Sequence, residues 1–451
     1  MTVRIAIIGT GYVGLVSGAC FAELGHDVVC VDKVASKIDM LNSGGIPIYE
    51  PGLEEIVRRN SAAGRLRFTT SVTEAVQRCD AVFIAVGTPT KSDSDHADLS
   101  YVYAAAEEIA KSITGFTVVV SKSTVPVGTN RRVLEICRAN IGENAQVAVA
   151  SNPEFLREGA AINDFMCPDR IVVGADDQRA QEVMERIYSP LTISRNVPLI
   201  STSTETAELT KYAANAFLAA KISFINEMAD LCEAVGANIN DVSLGIGLDS
   251  RIGRRFLNTG PGWGGSCFPK DTRALLATAE QNNVNCKIVQ AALEANEDRK
   301  RLMIEKVIHA CGGAVNGKRI AVFGLTFKGQ TDDMRESTSL VLLPALAQLG
   351  AQICAFDPSD PHEASELIGN INTCKTPEQA AEGADLLVIL TDWMIFKTYD
   401  LKQLAAQMRR AHMLDLRNMY SSTEALAAGF TNYTGLGMPP TKRPALLAVA
   451  E

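Results

Sequence analysis

The chain has 451 residues, enough for two or three domains with their own cores, and its 47% hydrophobic and 21% charged content is that of an ordinary globular protein. A net charge of -9 argues against nucleic acid as the main partner, because duplex binding needs a concentrated basic surface. The eleven cysteines contain no CxxC pair and are odd in number, which argues against a zinc site or disulfide framework and for free thiols in a reducing, cytoplasmic compartment. No run of about 18 apolar residues marks a membrane span.

The first element read is a strand at 4–8, too short for a signal peptide and ending in a glycine turn. Further β-rich runs at 28–31, 81–86, 117–121 and 147–150 alternate with helical patterns such as 13–24 and 102–113. Such alternation, with uniformly apolar strands, predicts a parallel sheet covered on both faces, over a domain of residues 1–200. Between the first strand and the first helix stands Gly9-Thr10-Gly11-Tyr12-Val13-Gly14. In a GxGxxG turn, Gly9 permits the tight bend, Gly11 lets backbone N–H groups approach a pyrophosphate, and Gly14 lets helix and strand pack closely. A lone motif of this kind also arises from plain turn glycines. Here the second strand follows the helix and ends at Asp32, whose carboxylate would accept from adenosine ribose hydroxyls and repel a 2′-phosphate, so NAD is expected over NADP. Lys37 reads either as a residue at the adenosine rim or as an ordinary surface lysine.

From about residue 202 the pattern turns helical. Thr202-Ser203-Thr204-Glu205 reads as a capping box, and Leu209, Tyr212, Ala213, Ala216, Phe217, Ala220 and Phe224 recur at three and four residues until Gly236. This predicts a helix of roughly 30 residues, about 45 Å long, that connects two domains and lines an oligomer interface. A further helix is predicted over 287–310, and the helical domain spans 201–310. Within it, residues 260–271 read Gly-Pro-Gly-Trp-Gly-Gly-Ser-Cys-Phe-Pro-Lys-Asp. Four glycines in six residues allow a ligand close approach, and Lys270 near Cys267 favours the nucleophilic thiolate.

A second α/β segment, 311–437, carries strands at 319–323, 352–356 and 385–390 and helices at 337–349 and 377–383. Its first turn, Phe323-Gly324-Leu325-Thr326-Phe327-Lys328, lacks GxGxxG, so no second dinucleotide is expected in that manner. Lys328 and Arg335 are charges available to a nucleotide with a different phosphate arrangement. Residues 438–451 read as a mobile tail. The fold class is therefore α/β: two doubly wound, Rossmann-like parallel-sheet domains joined by a central helical domain with one long helix.

GTGYVG at 9–14, STVPVGT at 123–129, NPEFLREG at 152–159 and GGSCFPKD at 264–271 together resemble the UDP-glucose/GDP-mannose dehydrogenase family, in register up to about Gly437. Residues 164–170 and 256–260 bring the chain nearest the members acting on UDP-glucose. The resemblance implies an N-terminal NAD domain, a central helical dimer domain, a C-terminal UDP-binding domain, UDP-glucose as substrate and a homodimer. It also implies oxidation of the sugar C6 alcohol twice, consuming two NAD and one water. Cys267 would attack the C6 aldehyde to give a thiohemiacetal, then a thioester that water hydrolyses.

By the same resemblance, Lys211 and Asn215 donate to an oxyanion at C6. From the residues alone, Lys211 reads equally as a surface lysine near Glu208. Asp271 holds a water and assists proton transfer. Glu154 is the base for hydrolysis, although after Pro153 it also reads as a helix N-terminal acid. Thr124 helps hold that water and borders NAD. The implied cofactor contacts are Gly9, Gly11, Val13, Gly14, Asp32, Lys37, Thr88, Thr124, Glu158, Lys270 and Arg335. The implied substrate contacts are Glu154, Phe155, Leu156, Arg157, Glu158, Lys211, Asn215, Phe256, Leu257, Asn258, Thr259, Gly260, Gly264, Cys267 and Lys328. Arg251 resembles a residue that reaches the partner subunit's substrate, and Arg417 one near the UDP moiety; either reads as well as a plain surface charge.

Gly260 and Pro261 fall where family members vary, so base and sugar selectivity are open there. The five histidines (26, 96, 309, 362 and 412) lie outside every motif, and no metal is expected. The rival readings are oxidation of GDP-mannose or UDP-N-acetylmannosamine by the same chemistry, a two-electron β-hydroxyacid dehydrogenase, which needs no cysteine and no second α/β domain, and a non-catalytic nucleotide sensor. The set Cys267, Lys211, Asn215, Asp271 and Glu154 argues against the sensor.

Overall fold

The computed structural model describes residues 2–91, 94–361, 364–369, 371–439 and 441–442. His362 and most of the expected tail lie outside them. Backbone contacts divide the chain into two units, Met1–Ala214 with Arg273–Asn285, and Asn215–Thr272 with Cys286–Glu451.

The first unit holds an eight-stranded sheet: β1 (Arg4–Ile8), β2 (Asp27–Val31), β3 (Leu66–Thr69), β4 (Ala81–Ile84), β5 (Phe116–Ser121), β6 (Gln146–Ser151), β7 (Ile171–Gly174) and β8 (Leu199–Thr202), in the order β3-β2-β1-β4-β5-β6-β7-β8. All neighbours are parallel except β6 and β7, which meet antiparallel at Ser151 and Gly174. Alternate side chains leave a strand on opposite faces. Ile5, Ile7, Phe83, Val118 and Val120 therefore join one buried cluster, and Ala6, Ile8, Val82, Ile84 and Val119 another. Both faces are covered, as the unbroken apolar strands require. The sequence patterns missed β3, β7 and β8. Each has only four residues, and β3 and β8 are edge strands that carry polar or exposed residues.

In the second unit β9 (Arg319–Phe323), β10 (Gln352–Phe356), β11 (Asn372–Thr373), β12 (Leu386–Ile389), β13 (His412–Asp415), β14 (Asn432–Gly435) and β15 (Thr441–Lys442) take the order β11-β10-β9-β12-β13-β14-β15. Its first six strands repeat the first unit's order, so the duplication of fold is real. Asp357, just past β10, is the counterpart of Asp32. It is buried and accepts from Leu325 N (2.7 Å), Thr326 N (3.3 Å), the Trp393 indole (3.3 Å) and the Ser359 hydroxyl (2.6 Å).

The long helix runs over Thr204–Val235, 32 residues, and stops at Gly236, which has φ of 77°. Its cap lies one residue later than the sequence suggested. Thr202 is claimed by the β7–β8 ladder, so Ser203 Oγ accepts from Thr206 N at 3.3 Å, and Glu205 pairs instead with Arg131. Tyr212 and Ala216 of its apolar set are buried, whereas Leu209, Phe217 and Phe224 are exposed. The helix Lys287–Ala310 has the bounds read from the sequence.

Candidate functional site

In the first unit β1 runs into the helix Tyr12–Glu23 through the glycine turn. Gly9 has φ of 104°, and a Cβ there would stand 2.6 Å from the Ala85 carbonyl; at Gly14 it would stand 2.0 Å from the Gly9 carbonyl. Neither position admits a side chain. A Cβ at Gly11 would meet nothing within 4 Å, so open space lies over the start of the helix, where N–H groups and the helix dipole suit a pyrophosphate. Asp32 Oδ2 accepts from Thr10 N (2.9 Å) and Thr10 Oγ1 (2.7 Å), and Oδ1 from Val34 N (3.0 Å). Burial raises the Asp32 pKa, but these hydrogen bonds and the charge of Lys37 outweigh it and hold the carboxyl below its ordinary value. Thr88 Oγ1 donates to Thr124 O at 3.0 Å and so ties the segment after β4 to the segment after β5. These residues fit a dinucleotide with free ribose hydroxyls.

The same unit brings together Glu154 and Lys211, 57 positions apart, at 3.0 Å. They are 5% and 3% exposed. Lys211 is therefore no surface lysine, and no helix begins at Glu154, whose Oε2 accepts from Leu156 N at 2.5 Å. Burial pushes the Glu154 pKa up, yet Lys211, the Leu156 amide and Lys122 together hold it below the ordinary carboxylate value. Phe155 lies 5.2 Å below the Lys211 ammonium and 3.6 Å below the Arg170 guanidinium. Glu208, one turn before Lys211, is also buried. It accepts from Gly128 N (2.7 Å) and Asn130 N (2.9 Å) at the start of the helix Thr129–Asn140, which fixes the loop following Thr124. Arg157 is exposed and pairs with Asp164, while Glu158 is half-buried.

Two features here were not read from the sequence. The buried Glu50 carboxylate accepts from Gly159 N (2.7 Å), Ala161 N (2.8 Å) and the Tyr12 hydroxyl, which fastens the end of the Glu154–Glu158 segment to the glycine-turn helix. Lys122, two residues before Thr124, is buried against Asn152. Tyr12 and Lys122 both lie in or beside quoted motifs. Glu50 stands in no motif, and nothing local marked it.

In the second unit Cys267 is half-buried at the start of the helix Phe268–Gln281, and its carbonyl accepts from Asp271 N at 2.9 Å. Asp271 is fully buried. Its Oδ2 accepts from Asn215 Nδ2 at 2.6 Å and its Oδ1 from Lys270 Nζ at 2.5 Å, so three of the expected residues form one cluster. The glycine loop is held from two helices. From Lys287–Ala310, Asn296 binds Trp263 N (2.8 Å) and Trp263 O (3.0 Å), and Arg299 Nε donates to Gly260 O at 3.0 Å. From the long helix, Asn226 Oδ1 accepts from Gly260 N (2.9 Å) and Thr259 Oγ1 (3.0 Å). At Gly264 a Cβ would stand 2.3 Å from the Glu336 carbonyl, which explains the glycine.

Phe256 takes φ of 65°, turning the chain before buried Leu257 and exposed Asn258. Leu257, Asn258, Thr259 and Arg417 line one cavity of about 350 Å³ together with Arg254 and Asn418. Arg417 is anchored to Phe327 O (2.7 Å) and Leu390 O (3.0 Å), and a Cβ on Gly260 would approach its Nη1 to 3.1 Å. Gly260 thus gives the arginine room. The Lys328 ammonium lies 5.5 Å from the Phe327 ring centre. Arg335 pairs with Asp333 and Arg251 with Asp249, and their side chains are 66% and 87% exposed.

Residues 3–192 match the NAD binding domain of the UDP-glucose/GDP-mannose dehydrogenase family, residues 205–298 its central domain and residues 321–422 its UDP binding domain. The chain is 54% identical over 438 residues to the UDP-glucose 6-dehydrogenase of Rhizobium meliloti (strain 1021), covering 97% of this chain and 100% of that protein. It is 46% identical over 440 residues to the UDP-glucose 6-dehydrogenase TuaD of Bacillus subtilis (strain 168), covering 97% and 94%. Among solved structures it is similar to a UDP-glucose dehydrogenase from Pyrobaculum islandicum, with a TM-score of 0.88, 38% identity and coverage of 97% and 98%. Three consecutive domain matches, and identity of this extent from end to end, place the chain in the UDP-glucose/GDP-mannose dehydrogenase family.

Proposed function

We propose that this enzyme is an NAD-dependent UDP-glucose 6-dehydrogenase, turning UDP-glucose, two NAD and one water into UDP-glucuronate and two NADH. The observation that carries the reading is Cys267, an accessible thiol at a helix start, followed one turn later by buried Asp271 with Asn215 and Lys270 on its two oxygens. A two-electron alcohol dehydrogenase has no use for a nucleophile. A four-electron enzyme needs one, because a free aldehyde is a poor hydride donor and a tetrahedral adduct is a good one.

NAD, held on the first unit's glycine turn with Asp32 at the adenosine ribose, supplies the hydride acceptor for both oxidations. In the first, the C6 alcohol loses a hydride, and its proton leaves through a water held by Asp271. The Cys267 thiolate, favoured by the helix start, then bonds to the aldehyde carbon, and the carbonyl π electrons become an oxyanion. The Lys211 ammonium and Asn215 amide donate to that oxygen. Loss of the second hydride restores the C=O bond as a thioester. Glu154 then takes a proton from water as its oxygen adds to the thioester carbon, the C–S bond breaks, and the Cys267 thiolate leaves. Leu257–Thr259, Gly260, Lys328 and Arg417 take the UDP moiety, a reading supported by the match of residues 321–422 to a UDP binding domain.

The exposed Leu209, Phe217, Phe224, Leu231 and Val235 on the long helix support a homodimer, and eleven cysteines with no disulfide among the described residues support a cytoplasmic location. By sequence pattern the chain divides into an NAD domain (1–200), a helical domain (201–310) and a UDP domain (311–437). The test is anaerobic NADH stoichiometry with limiting sugar. Two NADH per UDP-glucose, and little turnover of GDP-mannose or UDP-N-acetylmannosamine, is the expected result. One NADH per sugar, or a preference for either rival, would overturn it.

A further inference from the structure

Asp415 is the last residue of β13 and is fully buried. Its Oδ1 accepts from Arg417 N at 3.1 Å and its Oδ2 from Tyr420 N at 2.8 Å. The Tyr433 hydroxyl of β14 stands 3.3 Å from Oδ2 and donates to Tyr420 O at 2.5 Å. One carboxylate thus gathers the turn 415–420 around itself. Burial raises its pKa to about 6, so at neutral pH it is ionised, and holding it there costs stability. An ionised carboxylate only accepts, which is what the converging N–H groups need. An asparagine in its place would turn one oxygen into an NH2 group facing the N–H of Arg417 or of Tyr420.

The same turn carries two residues of the cavity wall, Arg417 and Asn418. Asn418 takes φ of 50°, and its side-chain amide accepts from Leu436 N (2.9 Å) and donates to Leu436 O (2.8 Å). Arg417 spends Nε on Leu390 O (3.0 Å) and Nη2 on Phe327 O (2.7 Å), while its Nη1 lies on the side of Gly260. A guanidinium is a rigid planar fork, so with two of its nitrogens committed to carbonyls its aim follows from where its own backbone stands. That backbone is held through Arg417 N by Asp415.

We propose that Asp415 is a positioning residue for substrate binding: its carboxylate fixes the turn that sets Arg417 in the wall of the nucleotide cavity. This rests on the reading of Arg417 given above, as a contact of the UDP moiety.

The test is calorimetric titration of the full-length Asp415→Asn enzyme at neutral pH with UDP-glucose alone and with NAD alone, so that no turnover intervenes. The Kd for UDP-glucose rises about tenfold, and the Kd for NAD, which binds the first unit, stays within about twofold of the parent's. In steady state the KM for UDP-glucose rises with kcat nearly unchanged. Tyr433→Phe removes the hydroxyl beside Oδ2 and Tyr420 O; it raises the same Kd by about threefold and answers the question should the Asn variant not accumulate. Parent affinity for UDP-glucose in the variants that fold, or equal weakening toward both ligands, would make Asp415 a support of the fold alone and overturn the proposal. Arg417→Met, run in parallel, separates the two levels. If it keeps the parent's affinity for UDP-glucose, the assignment of Arg417 to the UDP moiety itself fails. If it weakens that affinity while Asp415→Asn does not, only the role of Asp415 falls.

Discussion

Asp32 and Glu154 show how a carboxylate is kept ionised in two different ways. Asp32 is half-buried and relies on hydrogen bonds from Thr10 and Val34. Replacing it by Ala removes the acceptor for a ribose hydroxyl and raises the KM for NAD by about tenfold or more, with a smaller effect on the KM for the sugar; equal changes in both would count against its place at the ribose. Glu154 is fully buried and relies mainly on Lys211. A base must be unprotonated, and the pKa of Glu154 is held down, so its activity is lost only as pH falls through that lowered value. The rate of thioester hydrolysis, followed from the preformed adduct so that protonation of Cys267 does not enter, should accordingly stay flat from neutral pH down through the ordinary carboxylate range, while Lys211→Met moves the limb upward as the largest lowering charge goes. A parent profile already falling near pH 6 would contradict the assignment.

At this scale the sequence was legible where function is local in the chain. The spacing of Gly9, Gly11 and Gly14 encodes its own geometry. The pairing of Glu154 with Lys211, or of Asn215 with Asp271 across 56 positions, has no local signature, and only the fold brings the partners together.

Among the elements, the glycine loop before Cys267 depends on helices that carry none of the sequence motifs. Asn296 satisfies both backbone groups of buried Trp263. Asn296→Ala leaves a buried N–H and C=O unpaired and should destabilise the enzyme by about 2–3 kcal/mol in chemical denaturation, with kcat falling as the loop loosens; unaltered stability would show that the tether is dispensable. Gly14→Ala places a methyl 2.0 Å from a carbonyl of the glycine turn and should abolish detectable NAD binding in calorimetry. The cap of the long helix was misread by one position for a physical reason. Thr202, Ser203 and Thr204 can all cap, and only the pairing of Thr202 in β8 decides among them. Ser203→Ala should cost about 1 kcal/mol and Thr202→Ala less.

For the whole molecule, the repeated doubly wound α/β pattern was legible from alternation, because buried parallel strands are apolar throughout, whereas the order of the strands within each sheet was not. Its short members were not: β11 has two residues, and β3, β7 and β8 have four each. The long helix exposes Phe217 at 67% and Leu231 at 53%, an apolar stripe that a second copy would cover. Phe217→Asp should shift sedimentation from dimer to monomer, and a monomeric parent would remove that reading.

The most direct test of the account is mass spectrometry of Glu154→Gln after incubation with UDP-glucose and NAD. With hydrolysis blocked, the peptide containing Cys267 should carry a UDP-glucuronyl thioester, and the adduct should be absent from Cys267→Ser. Steady formation of the acid by Cys267→Ser, or a label on any other residue, would contradict covalent catalysis by this thiol.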